Sequence, residues 1–215
     1  RGEEALRSQL IPEDRALWEV GNFRQFLQYR RAEIARVINE FIKNLPTTTT
    51  KPTKELLEEE IAGGESHDLE FKSSMRWNYK TEQIDKALEK VIAKTVAAFA
   101  NSGGGRLIVG INDKGEVLGI EKDMETLSGG DKDKYELAFT NVIANYLGKE
   151  NRPHLKVEFV QLKGKTVMTV NVPEFMTQVY LNDGDREEFF VRSGNASHEL
   201  NVREANEYIS SHWAK

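Results

Sequence analysis

Two glutamates and a lysine stand close together in Glu65-Ser66-His67-Asp68-Leu69-Glu70-Phe71-Lys72. On a strand whose Leu69 and Phe71 face a core, Glu70 and Lys72 share the opposite face, because side chains alternate with a period of two. A carboxylate beside an ammonium on one strand face suits metal-dependent phosphodiester cleavage. The acid holds Mg²⁺ or Mn²⁺, and the lysine steadies the phosphate or the attacking water. Glu65, in the turn just upstream, is near enough to join, and Asp113, at the tip of the following hairpin, adds a third carboxylate. Glu65, Glu70 and Asp113 are therefore candidate metal ligands and catalytic groups, with Lys72 beside them. The same E-x-K spacing also makes an ordinary surface ion pair, and the spacing alone leaves both readings open.

A second cluster is electrostatic. Between Lys72 and Lys94 the chain carries Lys72, Arg76, Lys80, Lys86, Lys90 and Lys94 against Glu82, Asp85 and Glu89. This local positive excess sits in a chain with 30 Lys+Arg, 35 Asp+Glu and a net charge of -5. Such a balance excludes coating of nucleic acid by bulk charge and leaves only a local basic face. Lys86, Lys90 and Lys94, four apart, stack on one side of a helix as a candidate phosphate-tracking stripe, or as part of a mixed solvated face. Trp77 and Tyr79 are placed either to stack on bases or to pack on the sheet. Arg192, in Phe190-Val191-Arg192-Ser193-Gly194-Asn195, ends a strand in an anion-friendly turn, or in a plain strand exit.

Other chemistry is excluded. A phosphate cradle runs strand, glycine loop, helix, whereas Asn101-Ser102-Gly103-Gly104-Gly105 lies between a helix and a strand. Those glycines read as a helix cap and tight turn, and ATP is not expected. The absence of cysteine rules out disulfides, thiolate metal sites and a cysteine nucleophile. His67, His154, His198 and His212 lack metal-ligand spacing. No apolar run approaches the ~20 residues of a membrane span, so no membrane partner is expected. Arg1-Gly2-Glu3-Glu4 opens without a signal peptide's apolar segment. A cytoplasmic location is expected, and the missing initiator Met suggests a piece of something longer.

The elements that must position these groups follow from periodicity and punctuation. Residues 13–45 read as helix, with Phe23, Phe26, Leu27, Ile34, Val37, Ile38, Phe41 and Ile42 on one face. Residues 46–53, bounded by Pro46 and Pro52, read as a Thr-rich linker. Beyond it are predicted a short helix over 54–61, a strand over 68–72, a long helix over 81–100 and a hairpin of 106–112 with 116–120. A helix over 132–147 follows, then hairpins of 155–162 with 166–172 and of 178–181 with 187–192. Asn201 and Glu204 form the capping box of a last helix. The fold expected is a mixed α/β (α+β) one: a mixed sheet with flanking helices, preceded by an N-terminal helical arm over 1–45, with the main domain at 54–215.

The order of the Glu65–Lys72 segment, Ala98-Phe99-Ala100-Asn101-Ser102-Gly103-Gly104, Leu107-Ile108-Val109-Gly110-Ile111-Asn112-Asp113, Gly115, Val117-Leu118-Gly119-Ile120 and Phe190–Asn195 resembles the Schlafen AlbA-like DNA-binding domain family. That family is also catalogued as a divergent AAA-type ATP-binding family. The resemblance covers about residues 55–212 and implies a nucleic-acid-handling α/β domain. In the Schlafen RNases three acids and a metal cut transfer and ribosomal RNA. By motif Glu65 and Glu70 match the two glutamates of E-x-x-x-x-E-x-K, Lys72 its lysine, and Asp113 the acid ending the G-[VI]-x-D segment. Asn112 stands where the family often has a further acid, and the zinc site of mammalian members has no cysteine to build it, so no zinc is expected.

The expectation is a nucleic-acid-binding domain acting as a Mg- or Mn-dependent endoribonuclease on structured RNA such as tRNA. The alternative is a non-catalytic DNA- or RNA-binding module of a larger regulatory or defence protein. Lys86, Lys90, Lys94, Arg76, Lys80 and Arg192 are the candidate nucleic-acid contacts. A homodimer seamed by Phe26, Ile34, Val37, Phe41 and Ile42 is expected, because exposed apolar patches of that kind find partners.

Overall fold

A computed structural model of the chain describes residues 30, 31, 34, 36–38 and 53–213. The chain divides into two units, Arg1–Thr50 and Lys51–Lys215. In the first, the described residues are helical, with Ile34 and Ile38 exposed and Val37 half-buried. Phe26, Phe41 and Ile42, on which the expected seam also rests, lie outside the described residues, as does the linker up to Pro52. Among the described residues no helix is long and apolar enough to cross a membrane.

The second unit is layered. Helix α1 (Thr53–Gly63) covers one face of a four-stranded sheet. Its strands are β1 (Leu69–Lys72), β4 (Gly105–Val109), β5 (Lys156–Leu162) and β6 (Lys165–Val172), in the order β1-β4-β6-β5. Strands β1 and β4 are parallel, and β6 is antiparallel to both β4 and β5. Its other face carries α2 (Ala87–Ala100) and α4 (Lys132–Leu147). Beyond α2 lies an antiparallel sheet of β7 (Tyr180–Asn182), β8 (Glu187–Ser193) and β9 (Ala196–Leu200), with α5 (Val202–His212) on its far side.

Helix α2 is buried between the two sheets, which explains its composition. Ile92, Ala93, Val96, Ala97, Ala98, Phe99 and Ala100 are all at most 1% exposed, and the small residues let both sheets approach. The glycine run after it has a structural role. Gly104 takes φ +78, and a Cβ there would stand 2.8 Å from the Val172 carbonyl, so only glycine turns the chain straight into β4. A Cβ at Gly105 would run into the Phe99 ring.

Several expected elements shift. The long helix predicted from residue 81 begins at Ala87. Before it lies a short hairpin, β2 (Trp77–Asn78) with β3 (Gln83–Ile84). Asn78 causes this: its Oδ1 accepts the N–H groups of Lys80 and Thr81, and its carbonyl accepts that of Glu82, which sits at φ 52. Such local side-chain bonds compete with helix. The predicted 106–112/116–120 hairpin contracts to β4 and a single Ile111–Val117 bridge, because Asn112 Oδ1 takes the N–H groups of Lys114 and Glu116 in a tight turn. Helix α3 (Glu121–Glu125), a 3-10 turn at Lys149–His154 and β9 have no counterpart among the expected elements.

Asn101, fully buried at the end of α2, fastens the smaller sheet. Its amide donates to the carbonyls of Val179 (2.7 Å) and Phe190 (2.9 Å) and accepts the N–H of Val179 (2.8 Å). Tyr208 on α5 donates to the Asn101 carbonyl at 2.8 Å. Asn101→Ala leaves these backbone groups unpaired in the interior and is expected to cost about 3 kcal/mol, read as a lowered urea midpoint.

Candidate functional site

Strand β1 places Glu70 and Lys72 on one face, as the alternation requires: Leu69 and Phe71 are buried, Glu70 and Lys72 partly so. The two form an ion pair. Glu70 Oε2 is also 2.7 Å from Arg192 Nη2, whose side chain is 1% exposed. Arg192 donates further to the carbonyls of His67 (3.0 Å) and Ser66 (2.9 Å), and its guanidinium lies 4.9 Å over the Phe99 ring. Arg192 is therefore interior, its guanidinium engaged within the fold rather than presented to an anion at the turn after its strand. Within this triad Arg192 neutralises Glu70, and the surplus positive charge emerges at Lys72.

Glu65 Oε1 accepts the N–H of Phe71 at 2.7 Å, and Lys72 Nζ donates to the Phe71 carbonyl at 2.9 Å. Asp113 is exposed at the turn after β4. Glu65 is thus spent on the backbone of β1 and Glu70 on two cations. Among the described residues no group of three His, Asp or Glu side chains is placed to hold a metal ion. Glu65, Glu70 and Asp113 therefore form no such group.

The basic stripe is likewise reorganised. Lys86 precedes the helix as its exposed N-cap. Lys90 is taken up by Asp183 (2.6 Å) and Glu188 (2.9 Å), which hold its ammonium above the usual lysine range, Asp183 most strongly. Lys94 stands 5.1 Å over the Phe190 ring, and Arg76 is 3.0 Å from Glu89. Along α2 the three lysines therefore differ in availability: Lys90 is paired with carboxylates of the smaller sheet, while Lys94 rests on that sheet's Phe190.

What the fold does bring together is a cleft of about 280 Å³. Lys72, Ser73, Trp77, Tyr79, Lys80 and Asp113 line it, with Leu88 and Val91 of α2 at its side. Among the described residues no carboxylate pairs with Lys80. Tyr79 is 37% exposed, and its hydroxyl donates to the Gly119 carbonyl at 3.3 Å. Burial, reinforced by Asp123, pushes that phenol up to about 12, so it stays a neutral donor across the physiological range.

The loop carrying Trp77 is held by Asp123, which sequence reasoning missed. This carboxylate is 1% exposed. It accepts the N–H groups of Met75 (2.7 Å), Arg76 (3.0 Å) and Trp77 (2.7 Å), and the hydroxyls of Ser74 (2.6 Å) and Tyr135 (2.9 Å). Its partners lie up to 49 residues away, and no local pattern around Asp123 announces them.

With this geometry in view, comparison places the chain. The family model described as Schlafen, AlbA_2 matches residues 65–201, which contain the β1 triad, Asn101, Asp123 and the cleft. The chain belongs to the Schlafen, AlbA_2 family. Two solved structures are similar to this Schlafen, AlbA_2 chain. The DIP2311 protein from Corynebacterium diphtheriae matches 86% of it at 21% identity with a TM-score of 0.47, and the chain spans 33% of that protein's length. The N-terminal domain of a putative ATP-dependent DNA helicase RecG-related protein from Nitrosomonas europaea matches 71% of this chain and 95% of its own length, at 26% identity with a TM-score of 0.42.

Asp123→Asn turns an amide donor toward backbone donors. It is expected to destabilise the domain by on the order of 3 kcal/mol, against about 1 kcal/mol for Ser74→Ala, which removes one donor to Asp123 and an acceptor of the Arg76 and Trp77 N–H groups that Asp123 also accepts. Urea midpoints of the two variants check the ranking.

Proposed function

We propose that this domain binds nucleic acid through the cleft bounded by Trp77 and Tyr79, without cutting it. The observation that carries the reading is the convergence, in one cleft, of two aromatic side chains with Lys72, Lys80 and the Ser73 hydroxyl. Aromatic faces for bases beside cations for phosphates are the elements of a stacking site. The surplus charge of the Lys72–Glu70–Arg192 triad lies at the cleft wall. The low overall charge limits binding to this local surface and makes it salt-sensitive. Membership of the Schlafen, AlbA_2 family supports the same class of ligand.

A Mg- or Mn-dependent endoribonuclease acting on tRNA is the competing reading, with Glu65, Glu70 and Asp113 as ligands. It finds less support, since two of those carboxylates are engaged with backbone and cations.

Fluorescein-labelled RNA and DNA oligonucleotides, titrated with the protein and followed by anisotropy, test the proposal. Binding is expected with EDTA as well as with Mn²⁺, and the strand is expected to be recovered intact. Trp77→Ala is expected to weaken it about tenfold, since stacking is worth roughly 1–3 kcal/mol per base. Cleavage that needs Mn²⁺ and disappears in Glu70→Ala would replace this reading with the nuclease one.

A further inference from the structure

The wall of the cleft at Val91 is shared. Val91 is 37% exposed on α2, and it also borders a second groove of about 340 Å³ on the side of the smaller sheet. Lys90 and Lys94 of α2, with Arg186, Glu188 and Glu199, line that groove. The two depressions therefore meet across one apolar residue.

The charges of the groove are unequal in availability. Glu188, whose side chain is 2% exposed, is met by Lys90 at 2.9 Å and by Arg186 at 2.5 Å. Its charge is thereby covered. Arg186 is 62% exposed and stands 3.7 Å from Glu199; with five donors on a planar fork, it keeps an edge for another acceptor. Lys94 has no carboxylate partner among the described residues and rests on the Phe190 ring. The rim of the groove thus carries Lys94 and Arg186 beside the half-exposed Glu199, while its floor is neutralised.

We infer that the cleft and this groove are two subsites of one footprint for an unpaired strand. This rests on the nucleic-acid reading of the cleft and deepens it. A base sits at Trp77 and Tyr79, the strand crosses α2 at Val91, and a neighbouring phosphate meets Lys94 and Arg186. A duplex keeps its bases stacked inside and offers no base face to Trp77. Single-stranded oligonucleotides longer than the cleft are therefore the ligand class.

The test compares a labelled dinucleotide, a ten-nucleotide single strand and the corresponding duplex on the full chain. Variants are Lys94→Ala and Arg186→Ala, with urea midpoints confirming that each is folded. The single strand is expected to bind more tightly than the dinucleotide and than the duplex. In either variant that advantage over the dinucleotide shrinks, and the slope of log K against log salt falls by about 0.7 for the lost phosphate contact. Equal affinity for dinucleotide and ten-mer, an unchanged length advantage in both variants, or a preference for duplex would overturn the two-subsite footprint while leaving the cleft reading in place. Failure of the unaltered protein to bind any oligonucleotide would overturn both.

Discussion

Burying a carboxylate is costly unless its oxygens are satisfied, and Asp123 meets that requirement by gathering the N–H groups of three consecutive residues together with two hydroxyls. The requirement runs both ways. Met75, Arg76 and Trp77 leave β1 without a regular secondary-structure partner for those N–H groups, and the carboxylate keeps them paired, joined by Ser74 Oγ at Arg76 and Trp77. The loop so fixed determines where Trp77 stands, where the β2–β3 hairpin starts and how α2 is approached. Tyr135 ties the same carboxylate to α4, so one oxygen pair joins the cleft to the main core.

A second polar arrangement joins the two sheets. Asn101 and Ser102 leave α2 and bond to the smaller sheet, Ser102 Oγ accepting the N–H of Arg192 at 2.9 Å. Arg192 then reaches back to the loop before β1 and to Glu70. Two of the segments that carry the family resemblance, Asn101-Ser102-Gly103-Gly104 and Val191-Arg192-Ser193, are thus the two halves of one fastening. The first leads from α2 into β4 and the second lies in β8, so the fastening joins the two sheets. The ion pair inside this fastening is at most a modest source of stability, since desolvation offsets much of its Coulomb attraction.

Elements governed by local rules were legible in the sequence. The helix over residues 132–147 ends where Gly148 ends it, and the capping box of Asn201 and Glu204 is present in full. The face shared by Glu70 and Lys72 follows from alternation alone. The start of α2 was not legible, because Asn78 and Glu82 compete with helix in a stretch whose composition suits one. Charge availability was not legible either. Lys90 looks free along its own helix, yet its partners Asp183 and Glu188 lie 93 and 98 residues away. Asp123 had no signal, for the same reason of distance. Sequence spacing therefore located the cleft's lysine and aromatics, while the acids and cations around them took roles set by tertiary pairing.

Strand β1 lies at one edge of its sheet, the position at which an unpaired backbone invites another chain to add on. Its outward groups are occupied from within: Ser66 donates its N–H to the Leu69 carbonyl, Glu65 takes the Phe71 N–H and Lys72 covers the Phe71 carbonyl. The charged side chains that look catalytic in the sequence thereby act as a hem along the sheet. Strand-to-strand recruitment, the first step of amyloid-type growth, finds no open backbone groups at this margin of the folded chain.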